Sequence, residues 1–266
     1  MMMMRPQLDY YDMGDDVVAF SSTRQGGCSQ GRYAGFNINR YCGDSEDAIR
    51  HNRELLCRLL SISDDHLLMP HQVHQSKIAY VDEALLRLTE EELYQQLDGY
   101  DALMTNIADI CIGVSTADCI PILLYDPVHH AVCAVHAGWR GTVARIVEAS
   151  VSAMRDSYAS DPADLRAQIG PGISLESFEV GDEVYDAFRA ADFDMPTISR
   201  RDKKWHIDLP ECNRQQLIAS GICEEAIRQS GICTYQHSDR YFSARRLGVC
   251  SGRIFSGIML RSTSKE

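Results

Sequence analysis

Three residues in this chain have the types and local settings that do chemistry: His74, Cys119 and His136. Cys119 closes the block Thr116-Ala117-Asp118-Cys119, and His136 opens the block His136-Ala137-Gly138-Trp139-Arg140-Gly141. One thiol and two imidazoles suit zinc, and also copper. Three protein ligands with a fourth position open is the pattern of catalytic zinc, in which water is activated near neutral pH. The spacing matches neither a zinc finger nor a helical HExxH site. A metal-free reading uses the same residues. Cys119 and His136 would then be a nucleophile and its base, with Asp118 or Asp101 orienting the imidazole. The two chemistries differ in one respect: the metal needs His74, and the thiolate–imidazolium pair does not.

Arginines form a second constellation. Arg24 precedes Gly26-Gly27, and Arg140 follows Trp139 just before an expected helix. Gly-rich turns and helix starts direct N–H groups at anions, and Arg adds a two-pronged clamp. Arg24 and Arg140 are therefore candidates for holding phosphate or carboxylate, and Trp139 is a candidate to stack on a base. Each also has a plainer reading, as a surface ion pair or a core aromatic. Arg245 and Arg246 carry the same two readings, anion clamp or solvated face, with the solvated face favoured.

Elements must bring these residues together. The apolar runs 120–125 and 131–135 flank the turn-like Asp126-Pro127-Val128-His129. A hairpin closed between Asp126 and His129 sets Cys119 directly opposite His136, where Cβ atoms lie roughly 4.5–5.5 Å apart. Inclusion of His130 in the turn shifts that register. Strands are also expected at 17–20, 77–81, 101–105, 110–114, 165–169 and 253–259. Helices are expected at 44–60 with Ser45 as cap, 142–158, 181–191 and 210–220. Residues 85–97 read as helix or surface excursion. Strands and helices interleave without regular βαβ spacing. The expected fold is α+β, with mixed or antiparallel sheets flanked by helices. No linker divides the 266 residues, so one domain is expected over 1–266, with 1–16 as an N-terminal extension.

Composition narrows the partners. A net charge of −12 argues against nucleic acid, which requires a basic face. No apolar run approaches a membrane span, and Met1–Met4 is too short for a signal peptide. The ten cysteines form no CxxC pair and sit in apolar stretches, as buried reduced thiols of a cytoplasmic protein would.

These blocks, in this order, resemble the laccase-domain family, also called multicopper polyphenol oxidases. Its members include purine nucleoside phosphorylases that also act as adenosine deaminases and methylthioadenosine phosphorylases. The resemblance runs from Ser22-Thr23-Arg24-Gln25-Gly26-Gly27 through Gln72-Val73-His74, Asp101–Thr105 and the two blocks above. It continues to Ile169-Gly170-Pro171-Gly172 and Tyr241-Phe242-Ser243-Ala244-Arg245-Arg246. It implies that His74, Cys119 and His136 ligate one zinc, in a fold without cupredoxin domains. It implies a purine nucleoside and phosphate as substrates, phosphate being held by Arg24 and Arg140, with Asp118 or Asp101 assisting. Where the family usually has Gly after His74, this chain has Gln75. The chain lacks the repeated His-x-His pairs of a trinuclear copper cluster. Other readings are a cytoplasmic amidase that edits a peptidoglycan precursor, a copper-dependent polyphenol oxidase, and a non-catalytic zinc protein closed by Cys133 or His71. No motif specifies an oligomeric state.

Overall fold

A computed structural model describes residues 5–262, and the Met1–Met4 run lies outside them. Three sheets are present among the described residues. The strands are β1 (Leu8–Tyr11), β2 (Val17–Ser22), β3 (Leu67–Leu68), β4 (Ile78–Tyr80), β5 (Ala102–Thr105), β6 (Cys111–Thr116) and β7 (Ile120–Asp126). There follow β8 (Ala131–Ala137), β9 (Arg166–Ile169), β10 (Glu179–Val180), β11 (Ser199–Arg201), β12 (Trp205–Ile207), β13 (Ile227–Gln229) and β14 (Ile254–Leu260). A five-stranded sheet has the order β1-β2-β14-β6-β3, and a six-stranded sheet the order β13-β9-β7-β8-β5-β4. The third sheet is β10-β12-β11. The pairs β3–β6, β4–β5 and β13–β9 are parallel and the others antiparallel, so the fold is mixed as expected. Within the stretch read as an N-terminal extension, Leu8–Tyr11 pairs with β2 as an edge strand.

The helices are α1 (Glu46–Leu60), α2 (Glu90–Gln96), α3 (Trp139–Val143), α4 (Ile146–Tyr158), α5 (Asp182–Ala190), α6 (Met195–Ile198), α7 (Leu209–Ala219) and α8 (Ala244–Leu247). Ser45 occupies the N-cap position of α1, but its side chain makes no capping bond. The single helix expected over 142–158 is two. Arg145 adopts a left-handed conformation (φ 59°) that breaks the ladder between α3 and α4. Its guanidinium bonds Glu148 and the Ala191 carbonyl and so holds the break. Arg140 consequently lies inside α3 rather than before a helix.

Side-chain alternation along β7 and β8 builds two layers at once. Leu123, Tyr125, Val132 and Ala134 point between the sheets, where they meet Ile112, Val114 and Ile258. Ile122, Leu124, Cys133 and Val135 point the other way, onto Val147, Val151 and Met154 of α4 and Leu217 of α7. With both faces covered, these strands are apolar throughout. His136 falls in step with Val132 and Ala134, so it stands at the end of the layer between the two large sheets.

The hairpin register differs from the expected one. Asp126 pairs with Ala131, and Pro121 pairs with His136. The turn therefore includes His130, whose φ of 48° is left-handed. The Asp126 carboxylate receives the N–H groups of Val128 and His129 and also bonds the His129 ring, which stabilises this longer turn. Cys119 drops out of direct opposition to His136, but two positions of slip preserve its face. Thiol and imidazole become diagonal neighbours on one side of the hairpin, still within side-chain reach.

Candidate metal centre

Asp101 organises the site. The β5–β8 ladder pairs Ala102 with Val135. One step further, the His136 N–H donates to the Asp101 carbonyl at 2.8 Å. The same residue's carboxylate Oδ1 lies 2.8 Å from His136 Nδ1. Oδ1 also accepts the backbone N–H of His74 (2.9 Å), and Oδ2 accepts those of Gln75 (2.7 Å) and, more weakly, Val73 (3.4 Å). One buried carboxylate thus holds a strand-borne ligand and the loop carrying another. Burial opposes its charge, but the bond to His136 and these N–H donors outweigh burial and keep its pKa below the ordinary range.

His74 has a φ of 62°, a conformation that costs a non-glycine residue on the order of 1 kcal/mol or more. The Asp101 bonds on either side of it offset that cost. Gln75, where the family usually has Gly, has no positive φ. The loop's strain falls on His74, so the glycine-to-glutamine difference leaves its backbone path open. Gln72 fastens the loop to β6. Its amide donates to the Ser115 carbonyl (2.9 Å) and accepts the Ser115 N–H (2.8 Å).

Cys119 follows the sharp turn at Asp118 (φ 88°). The Asp118 carboxylate accepts the Thr234 hydroxyl and the Arg245 N–H, both at 2.7 Å. Asp118 therefore fixes the turn that presents Cys119, while Asp101 is the carboxylate on the imidazole. Burial raises the Cys119 pKa, but His136 and His74 outweigh it and bring the thiol down to about 6. Burial lowers the His136 pKa, but Cys119 and Asp101 outweigh it and lift the imidazole to about 9.

The side chains of His74, Cys119 and His136 each offer a ligand atom, and these lie within 4.8 Å of one another. His136 Nδ1 is engaged by Asp101, leaving Nε2 as its free donor. A Cβ on Gly138 would stand 3.0 Å from Cys119 Sγ and 3.1 Å from His74 Cδ2. The missing side chain therefore keeps space open beside the donors. Thiolate, two imidazoles and a carboxylate behind one imidazole fit a single borderline-soft ion. Among the described residues this is the only such group, and it contains neither Cys133 nor His71. Cys133 faces the opposite layer of β8. His71 is bonded to Asp98 and stacked on Tyr41.

The chain matches the model of the family described as multi-copper polyphenol oxidoreductase laccase over residues 18–261. It belongs to that family. A protein of Bacteroides thetaiotaomicron named purine nucleoside phosphorylase is 47% identical over 248 residues, covering 92% of each chain. One from an unknown prokaryotic organism, named adenosine deaminase RL5, is 41% identical and covers 95% of this chain and 97% of its own. Among solved structures, Bacillus licheniformis YfiH, described as hypothetical, superposes with a TM-score of 0.86 at 29% identity over 92% of this chain and 93% of that one. YlmD of Geobacillus stearothermophilus gives 0.85, also at 29% identity, over 95% and 94%. This family member carries its three metal-ligand candidates in a cleft of about 650 Å³.

The cleft does not include every expected residue. Arg24 donates to the carbonyls of Ser238 and Ala34 and lies over Phe242, away from the cleft lining. Trp139 packs on the helix-covered core, with the Arg140 guanidinium 4.2 Å from its ring, and neither lines the cleft. Their closeness to the His136 block in sequence misleads, because α3 turns them away from the donors. Instead the lining includes Gln72, Ser115, Phe178, Arg245 and Arg253. Arg245 belongs to the Tyr241–Arg246 block, for which the sequence favours a solvated face over an anion clamp. Nothing in sequence spacing marks Arg253. Of the ten unpaired cysteines, five are buried, three half-buried and two exposed, so burial is less general than composition suggested. No helix among the described residues is long and apolar enough to cross a membrane.

Proposed function

We propose that this protein is a zinc-dependent purine nucleoside enzyme. It phosphorolyses adenosine, inosine and methylthioadenosine, and it deaminates adenosine to inosine. The observation that carries the reading is the convergence of His74, Cys119 and His136 in a substrate-sized cleft with no fourth protein donor in the group. The names borne by relatives that cover nearly the whole chain support a nucleoside as substrate. Ten unpaired cysteines fit the reducing cytoplasm.

His74, Cys119 and His136 would hold the ion. Zinc on three protein donors supplies Lewis acidity and activation of water at neutral pH. Asp101 keeps His136 oriented through Nδ1 and holds the His74 loop. Asp118 holds the turn before Cys119. Ile173 and Phe178 give the cleft an apolar side for a purine ring, and Gln72 and Ser115 lie among its polar lining. In deamination, water adds at purine C6 and ammonia leaves. In phosphorolysis, a phosphate oxygen bonds ribose C1′ as the bond from C1′ to the base breaks, and the base takes up a proton. A trinuclear copper cluster needs further histidine donors, and the described residues assemble only this one group.

The test is adenosine incubated with zinc-loaded protein, with and without phosphate, and products separated by chromatography with mass detection. Inosine in both conditions, adenine only with phosphate, and loss of both in Cys119→Ala are expected. A Cys119→Ala variant with full activity and full zinc content would remove the assignment. No product from the wild type would reject the nucleoside reading in favour of the editing amidase, with the muramyl precursor as the next substrate.

A further inference from the structure

Arg245 and Arg253 line the cleft, and among the described residues neither lies within ion-pair distance of a carboxylate. Both are held by neutral groups. Arg245 Nη1 donates to the Glu179 carbonyl at 2.9 Å, and its guanidinium sits 5.5 Å from the Phe178 ring. Arg253 donates from Nη1 to the carbonyls of Ser251 (2.6 Å) and Gly252 (3.0 Å), and from Nη2 to that of Val249 (2.9 Å). Carbonyls fix a guanidinium without cancelling its charge, and these contacts leave N–H donors on each fork free. The acid on this wall, Asp118, is already engaged by the Thr234 hydroxyl and the Arg245 N–H.

The setting makes two cations without an ion-pair partner among the described residues informative. The chain carries a net charge of −12, and most of its arginines near acids are paired at the surface. A cleft of opposite local sign concentrates anions against that background. A second observation points the same way. The Thr116 hydroxyl is buried without a hydrogen-bond partner, and Thr116 lines the same cleft. An unpaired buried hydroxyl is costly unless something completes it.

We infer that Arg245 and Arg253 form the binding site for inorganic phosphate in this cleft, with Thr116 as a further hydrogen-bonding group. This replaces Arg24 and Arg140 in that role. It deepens the nucleoside reading and rests on it for the use to which the phosphate is put.

Calorimetric titration of inorganic phosphate into the zinc-loaded full chain tests the site without requiring turnover. Arg245→Met and Arg253→Met should each weaken phosphate binding by about tenfold or more, the order expected for a charge-assisted contact. Zinc content should stay at the wild-type level. Arg246→Met, on the same helix but outside the lining, should bind within about twofold of wild type. Arg245→Lys keeps the charge but loses the fork, and should fall between. If Arg245→Met fails to fold, Arg245→Lys and Arg253→Met decide. Phosphorolysis should lose at least about tenfold more than deamination in the Met variants, through the phosphate KM. Three results would overturn the inference: no phosphate binding by wild type, loss in Arg24→Met in place of the cleft arginines, or binding that survives both Met substitutions and disappears on zinc removal. Arginine-dependent phosphate binding in a protein that turns over no nucleoside would leave this site standing and sink the nucleoside reading alone.

Discussion

Asp101 stands directly across the β5–β8 ladder from His136, and it meets that residue twice, through its backbone carbonyl and through its carboxylate at 2.8 Å. The same carboxylate gathers the N–H groups of the His74 loop. Two of the three metal-ligand candidates therefore depend on one side chain that need not touch the ion.

Asp101→Asn should separate this positioning role from a general role in folding. The amide keeps the shape but weakens every charge-assisted bond and presents one NH₂ among donors. Zinc affinity, measured by competition with a chelator, should fall about 10–100-fold, as for other partners of metal-bound histidines. Unchanged affinity would show that the His74 loop and His136 are held by other contacts.

Gly138 tests the space between the donors. Its φ of −71° suits any residue, so Gly138→Ala carries no backbone penalty. The added methyl would stand 3.0 Å from Cys119 Sγ and 3.1 Å from His74 Cδ2. We expect a folded protein, with Tm within a few degrees of wild type, that binds zinc at least about tenfold more weakly because the donors must spread. Wild-type zinc affinity in this variant would place the ion elsewhere.

Gln72 ties the loop to the end of β6 by a two-bond amide clamp on Ser115. Ser115 is nearly buried, at 6% exposure, so truncation leaves its N–H and C=O short of partners. Gln72→Ala should destabilise the fold by about 1–3 kcal/mol in chemical denaturation. Hydrogen exchange should rise at residues 73–75. A loss of stability without faster exchange there would assign Gln72 to the strand alone.

Asp126 makes the pH dependence of the hairpin testable. Burial raises its pKa, but the Ser160 hydroxyl and the turn groups of His129 and Val128 together outweigh burial and hold it below the ordinary value of 3.8. A depressed folded pKa means that this carboxylate's contribution is present above about 3.8 and is lost as pH falls through the lower folded value. Asp126→Asn should therefore cost about 1–3 kcal/mol at neutral pH. Its Tm deficit against wild type should narrow as pH drops below 4. A deficit constant from pH 7 to pH 3 would mean that the turn depends on shape and not on charge.

The trio of candidate ligands was legible by residue type because side-chain chemistry is local. A thiol and two imidazoles at strand and loop ends declare themselves by type, and the apolar runs of β7 and β8 declare a two-faced buried hairpin. The same alternation carried Cys119 and His136 to one face, even though the turn's extra residue moved the register. Register was not legible, because the Asp126 network and the left-handed His130 are set by contacts that the run of residues does not show. The choice between Asp101 and Asp118 was likewise open in sequence. The cross-strand pairing settled it by placing Asp101 on the imidazole and Asp118 on Thr234 and Arg245. The arginines around the cleft were the least legible. Arg24 and Arg140 lie beside glycines and beside the His136 block in the chain, whereas Arg245 and Arg253 reach the cleft from more than a hundred residues away. Residue type fixed the chemistry available to this protein. Only the packing of the sheets and the C-terminal segment decided which charged groups share a cavity, because electrostatic partnership depends on distance in space and not along the chain.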